Sequence, residues 1–321
     1  MLRPITVCAA LICTMPGTFV QAQEYPNKPI TIVVQFPEKT LGDTMARLVA
    51  ERLQSALGQP VNVKNVPGKT GSVAVEQVAK SAPDGYTLSF AGDGPLTTAA
   101  VLYETLGYDP RRDLAPVAKL IATQNALLVS AAAPARSIAD LVKAAKEKPG
   151  QSYAHTGAGF STHLAGELLK KQHGIDLKPV ELAAPADFYK ALEGGQVLFG
   201  VTSVGLAAPQ VKEGKARAIA VTGPQRASLL PETATLTELG FTSGHDPSAW
   251  FALLAPKGTP QPIIAKLHAE ATKIVGTAEV SGRLTALGAR PDPSSPAELG
   301  QRIETTIASL TELLKDVPKQ K

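Results

Sequence analysis

Three times in this chain a short β-rich run stops at a turn of small residues and a helical period opens directly behind it. In ITIVVQFPEKTLGDTMAR the apolar run from Ile30 ends at Phe36-Pro37, and helical spacing begins after Gly42-Asp43. Val61 to Val66 runs into Pro67-Gly68-Lys69-Thr70-Gly71-Ser72 and a helical stretch from Val73 to Ala82. Tyr153-Ala154 runs into HTGAGFSTH and a helix ending at Gln172. A helix start presents unpaired backbone N–H groups and the positive end of the helix dipole, so each turn suits a carboxylate or another anion. Three such turns, if they converge, make a pocket for an acidic solute.

The same alternation continues almost to the end of the chain, which predicts a layered α/β architecture with mainly parallel sheets. Strands are expected over Ile30–Phe36, Val61–Asn65, Thr87–Phe90, Val117–Ile121, Ala126–Ser130, Val197–Val201, Ala216–Val221 and Trp250–Leu254. Helices are expected over Leu41–Ala56, Ser137–Lys146, Ser161–Gln172, Ala186–Leu192, Leu206–Lys212, Pro260–Val275, Ala278–Leu287 and Pro296–Leu314. Ser137 and Ser295 stand where N-caps belong, and Leu299, Ile303, Ile307, Leu310 and Leu314 mark one buried face of the last helix. The length suggests two lobes. Candidate crossings between them are Thr123-Gln124-Asn125 and the span from Pro224 to Pro247. The expected division is a first lobe over 23–125 and 243–321 and a second over 126–242.

The first 22 residues have one charge, Arg3, an apolar centre from Ile5 to Ile12, and Val20-Gln21-Ala22 as a small-residue cleavage site. This is the grammar of a secretory signal peptide, and its removal lowers the formal net charge from +4 to +3. No later segment approaches the about 20 apolar residues of a spanning helix, so no direct membrane insertion is expected. Both cysteines, Cys8 and Cys13, lie in the leader. The mature chain therefore has no thiolate chemistry or disulfide. No basic block with interleaved aromatics points to nucleic acid.

No catalytic set stands at recognisable spacing, and no cofactor or metal is implied. GFSTH (Gly159 to His163) lacks the second glycine of a nucleophile elbow, so an exported hydrolase using Ser161 and His163 is the weaker alternative. Ser161 and Thr162 suit helix capping and anion contact, while His163 is either a satisfied first-turn histidine or a pocket donor. His155, His173, His245 and His268 have no metal-ligand spacing. Asp43 and Arg47 form an i,i+4 pair that either supports the surface or fixes the first turn. Lys39 and Lys69 are ordinarily solvated; both facing one cleft would favour a multiply charged anion.

The segments YPNKPITIVVQFP, ARLVAERL, LGQPVNVKNVPG, VAKSAPDGYTL, LGYDPRRDLAPVA, GAGFSTHLAGELL, GKARAIAVT and SAWFALLAPKGTP follow one another in an order that resembles the periplasmic solute receptors of the tripartite tricarboxylate transporter family, the Bug receptors. The resemblance runs from Tyr25 to the final helix. It implies a type II periplasmic-binding-protein fold, two lobes on a two-segment hinge closing on a small organic carboxylate for the membrane permease subunits of such a transporter, as a periplasmic monomer. The alternative is an orphan receptor that signals to a membrane sensor. The turns implied to hold the ligand supply Phe36, Pro37, Lys39, Gly42 and Asp43 from the first lobe and Thr156, Gly157, Gly159, Ser161, Thr162 and His163 from the second. The helix-start reading adds Gly71 and Ser72, with Thr202 and Ser203 as second-lobe hydroxyls. The departures are specific. Where the family has Phe-Pro-Pro-Gly-Gly-x-x-Asp this chain has Phe36-Pro37-Glu38-Lys39-Thr40-Leu41-Gly42-Asp43, a Tyr-Lys-Gly run is Leu182-Ala183-Ala184, and two family aspartates are Leu198 and Thr202. Loss of both glycines restricts the first turn. Glu38, an added acid, is expected to face outward.

Overall fold

The computed structural model describes residues 25–241 and 247–320. The leader expected over 1–22, with Cys8 and Cys13, and His245 lie outside the described residues. In chain order the elements are β1 (Ile30–Val34), α1 (Leu41–Leu57), β2 (Val61–Asn65), α2 (Ser72–Ala79), β3 (Thr87–Gly92), the short α3 (Asp93–Leu96) and α4 (Thr98–Leu102), and β4 (Leu114–Thr123). There follow β5 (Asn125–Ser130), α5 (Ile138–Glu147), β6 (Gln151–His155), α6 (Ser161–His173), β7 (Leu177–Glu181), α7 (Pro185–Glu193), β8 (Phe199–Ser203), α8 (Val204–Lys212) and β9 (Ala216–Val221). The chain then continues through β10 (Ala249–Pro256), α9 (Gln261–Val275), α10 (Ala278–Ala286), β11 (Ala289–Pro291) and α11 (Pro296–Leu313).

The strands form two sheets, ordered β11-β4-β10-β3-β1-β2 and β7-β6-β8-β5-β9. Apart from the edge strand β11, both follow one plan. In each, one strand (β1 or β6) is flanked by the next two strands that the chain adds to that sheet, and the strand arriving from the other sheet (β10 or β5) is inserted between the later of those two and the remaining strand (β4 or β9). That insertion corrects the expectation of mainly parallel sheets. β1 pairs in parallel with β2 and β3, and β6 with β7 and β8. β10, β5 and β11 pair antiparallel with all their neighbours. Parallel pairing follows from the βαβ units; a strand crossing directly from the other sheet enters without such a helix and runs against its neighbours.

The chain leaves the first sheet through Gln124, whose side-chain amide donates to the carbonyls of Thr222 and Gln225. The return passage, between β9 and β10, includes residues 242–246, outside the described residues. β1 ends two residues earlier than expected because Gln35 leaves the ladder and bonds sideways to β3. β7 was not predicted: LKPVE contains a proline and exposed polar residues, which fits its place at a sheet edge.

Helix α1 buries Met45, Leu48, Val49 and Leu53 against the first sheet and stops at Gly58 in the left-handed region. α11 begins with a Ser295–Glu298 capping box and buries Leu299, Ile303, Ile307 and Leu310 at helical spacing. Each such side chain contributes about 1.5–3 kcal/mol by leaving water. Leu310 and Leu314 join Leu102 and Leu164 in a small apolar cluster that ties α11 and α4 to α6 of the second lobe. Beyond α11 the tail returns to α4: the Gln320 amide donates to the Leu102 carbonyl at 2.7 Å, and the Glu104 amide to the Gln320 carbonyl at 2.9 Å.

Candidate functional site

At the first turn the chain leaves β1 through Gln35, buried, and Phe36, half-buried. The Phe36 ring lies over the start of α1 so closely that a Cβ at Gly42 would fall 2.4 Å from it. Lys39 holds φ 65°, a conformation that favours glycine. Lys39 thus adopts a glycine-like conformation without being glycine, while Thr40, extended, is the N-cap. The Lys39 amide donates to Asp43 Oδ2 at 2.8 Å. Asp43 also accepts from Arg47 Nε at 3.0 Å and Asn65 Nδ2 at 2.7 Å, so its carboxylate braces the turn. Burial pushes the Asp43 carboxyl upward, but the bonds from Arg47, Asn65 and the Lys39 amide outweigh it and hold the group below the usual carboxylate range.

The second turn repeats the device. Gly159 holds φ 77°, Phe160 is the extended N-cap, and the Gly159 amide donates to His163 Nδ1 at 3.2 Å. His163, like Asp43, is the third helical residue and accepts from four positions back. Thr162 Oγ1 accepts from the Thr156 amide at 3.2 Å, and Glu181 from the Ala158 amide at 3.0 Å. α6 has no side-chain cap and no acid in its first turn, and the same is true of α8. Their starts present the electrostatics that favour an anion.

Between these turns lies the loop Gly68-Lys69-Thr70-Gly71, with positive φ at all four residues. Positive φ at a β-branched residue is strained, and strain of this kind collects at functional sites. Thr70 Oγ1 donates to the Ala158 carbonyl at 3.1 Å and stands 3.1 Å from Tyr103 Oη. Phe160 packs on Gly94, where a Cβ would fall 3.0 Å from its ring. The two lobes therefore meet where this loop and Gly94 touch the turn before α6.

Asn125, the first residue of β5, donates from Nδ2 to Ser161 Oγ at 3.0 Å and to the Pro247 carbonyl at 3.0 Å. It pairs across the ladder with Ser203, whose buried hydroxyl has no partner among the described residues. With its oxygen accepting from Asn125, Ser161 keeps its own proton to donate. The buried His155 and His163 rings lie 4.7 Å apart, and His163 Nε2 is 3.8 Å from Glu167 Oε1. Tyr153 Oη donates to the same carboxylate at 2.9 Å and Lys170 Nζ at 2.8 Å. Burial, helped by the neighbouring His163, lowers the His155 pKa to about 4. Burial also lowers that of His163, against the opposing pull of Glu167. The Ser161–His163 partnership a hydrolase would use is not formed: Asn125 bonds the serine, and Gly159 and Glu167 face the histidine nitrogens.

Of the expected site residues, Ser161 and Ser203 come together on Asn125, and Thr156, Gly157, Gly159, Thr162 and His163 build the turn beside them. In the first lobe Phe36 covers Gly42 and Gln35 packs on Gly71, and Thr202 is buried in β8. Ser72 lies apart, beside the Tyr108 hydroxyl in the first lobe's core. Pro37, Glu38, Lys39 and Lys69 are exposed, so the two lysines do not form a buried cationic pair. Gln35, Asn65 and Asn125 were not anticipated. Their signal is a polar side chain placed at a strand end next to an apolar run, a position that asks for a specific partner.

The sequence model described as tripartite tricarboxylate transporter family receptor matches residues 45–317, beginning just past the altered first turn. Protein BugT of Bordetella pertussis is 32% identical over 281 residues, 86% of this chain and 85% of BugT. Among solved structures, R. palustris Rpa4515 with adipate has a TM-score of 0.81 at 31% identity, covering 91% of this chain and 98% of the other. MatC from Rhodopseudomonas palustris with bound malate has a TM-score of 0.77 at 30% identity, covering 90% and 100%. The fold is that of the periplasmic binding proteins. This chain belongs to the tripartite tricarboxylate transporter receptor family, the TctC or Bug solute-binding proteins.

Proposed function

We propose that this protein captures a small organic carboxylate in the periplasm after cleavage of its leader near Ala22, and delivers it as a monomer to the permease subunits of a tripartite tricarboxylate-type transporter, making and breaking no bond. The observation that carries the reading is Ser161 at the uncapped start of α6, oriented by Asn125 beside the unpaired hydroxyl of Ser203. Those groups offer donors to one carboxylate, and the anion-favouring starts of α6 and α8 add to them. The adipate and malate bound in the two related structures are consistent with the same class of ligand. The lobes are assigned as 23–125 with 243–321, and 126–242. Asn125 bonds at both passages, so a ligand on Ser161 acts on the hinge itself.

The test is thermal unfolding of refolded mature protein against mono-, di- and tricarboxylates, aromatic acids and acidic amino acids. A ligand at about 100 times its Kd adds about 2.7 kcal/mol and raises Tm measurably. Ser161→Ala is expected to weaken that ligand by about tenfold or more, the loss of one hydrogen bond to a charged group. No shift with any acid would overturn the carboxylate reading.

A further inference from the structure

Resting on the receptor reading, we propose that Gln35 selects the far end of the ligand, and that this end is a neutral oxygen acceptor such as an amide, keto or hydroxyl group, so that the solute is a substituted monocarboxylate. Gln35 stands at the carboxyl end of β1, next to β3. The second strand lies on one side of β1 and the third on the other, which makes the β1/β3 boundary the switch point of this sheet, where open α/β sheets place ligands.

The side chain is 4% exposed. Its Oε1 accepts from the Gly92 amide at 3.0 Å, which fixes the orientation of the carboxamide, since a flip would oppose two donors. Nε2 is thereby turned the other way, buried and without a hydrogen-bond partner among the described residues. Its neighbours are Gly71 and Gly92: a Cβ on Gly71 would fall 2.7 Å from Nε2, and one on Gly92 3.6 Å. Neither glycine has a side chain that could accept from it. A buried donor with no acceptor costs folding free energy and asks for an explanation, and an acceptor that arrives with a ligand supplies one. Gly71 adjoins Thr70, which touches Ala158 of the second lobe, so the unpaired donor lies just behind the seam between the lobes.

Charge decides which acceptor it is. At this end of the first sheet the buried acids are Asp43, paired with Arg47, and Asp93, while the cations Lys39, Lys69 and Arg47 are exposed. A second ligand carboxylate here would be buried against neutral donors and neighbouring acids, with no buried cation of these turns to balance it. A neutral oxygen takes the Gln35 proton without that penalty. The carboxylate end then belongs to Ser161 and the start of α6.

The test is calorimetric binding to the mature protein of three matched pairs: succinate and succinamate, glutarate and glutaramate, adipate and adipamate. At the chain length that fits, the monoamide is expected to bind about tenfold or more tightly than its dicarboxylate. Gln35→Leu should weaken the monoamide by about tenfold and erase the preference. Gln35→Glu, which keeps an acceptor for Gly92, should weaken both members and the dicarboxylate more. Ser161→Ala should weaken both members alike. A dicarboxylate that binds as well as its monoamide, or a preference that survives both folded Gln35 variants, overturns the assignment. If the only binders in the wider panel are acids with no neutral oxygen acceptor, the receptor reading stands and this assignment falls. If no acid binds, the receptor reading fails and takes the assignment with it.

Discussion

Lys39 and Gly159 occupy the same place in two copies of one turn, each in the left-handed region, each donating its amide to the third residue of the following helix. In the first lobe the acceptor is a carboxylate, and in the second it is an imidazole. The carboxylate of Asp43 is itself held by Arg47 and Asn65 and stays ionised well into acid. The imidazole of His163 accepts only while neutral, and protonation would turn Nδ1 from acceptor to donor, against the Gly159 N–H. One geometry thus yields a permanently fastened turn and a turn that acid can unfasten. The fastened turn also uses a lysine where glycine is the relaxed choice, so its rigidity comes from its hydrogen bonds and not from its backbone preference.

The largest contrast should come from removing the acceptors. Asp43→Ala leaves the Lys39 amide and the Asn65 side chain unsatisfied and is expected to cost about 3–4 kcal/mol in denaturant unfolding. His163→Ala at pH 7.5 should cost about 1–2 kcal/mol, since it removes one neutral acceptor and some packing. Equal costs would mean the two turns are fastened alike.

Acidification should separate them next. The folded-state pKa of His155 is depressed from 6.5 to about 4, and that of His163 is depressed as well. The unfolded chain therefore binds more protons, so the contribution of these residues is fully present above pH 6.5 and is lost as pH falls, for His155 between 6.5 and about 4. For His155 this is about 3 kcal/mol. Asp43, whose pKa is lowered from 3.8, loses its contribution only as pH falls below that value. The NMR signal of the Gly159 amide should accordingly shift as pH falls below 6.5, before that of Lys39 moves. Joint movement of both signals would remove the distinction.

A smaller effect separates the backbones. Lys39→Gly relieves left-handed strain and is expected to stabilise by about 1 kcal/mol or less, the gain being offset partly by a more flexible unfolded chain. Gly159→Ala should do the reverse, and more strongly, because its Cβ would fall 3.0 Å from Thr70 Cγ2. Chevron or equilibrium denaturation of both variants checks the sign.

How far the sequence could be read follows the same line between period and contact. The β-run and helix alternation was legible because periods of 2 and 3.6 survive in every long element, and the face of α11 was read to the residue. β7, β11, α3 and α4 were not predicted, being three to five residues long and decided by what packs on them. The antiparallel insertion of β5 and β10 leaves no mark in local periodicity. Asp43 and Arg47 were recognised as a pair, but the bond that gives the pair its purpose requires Lys39 at positive φ, which a lysine does not announce. Ser161 stood in a suggestive motif; its partner Asn125 lies 36 residues away and is visible only once the crossing is formed.

The tail that returns to α4 gives this receptor a remote readout. Gln320 is bonded to Leu102 and Glu104, and Tyr103 between them stands against Thr70, the residue that meets the second lobe. A fluorophore at the exposed Lys319 would sit one residue from that linkage. Opening or closing of the lobes would reach it through Tyr103 and change its surroundings, so occupancy could be reported from the chain's far end with no label in the cleft and no substrate analogue.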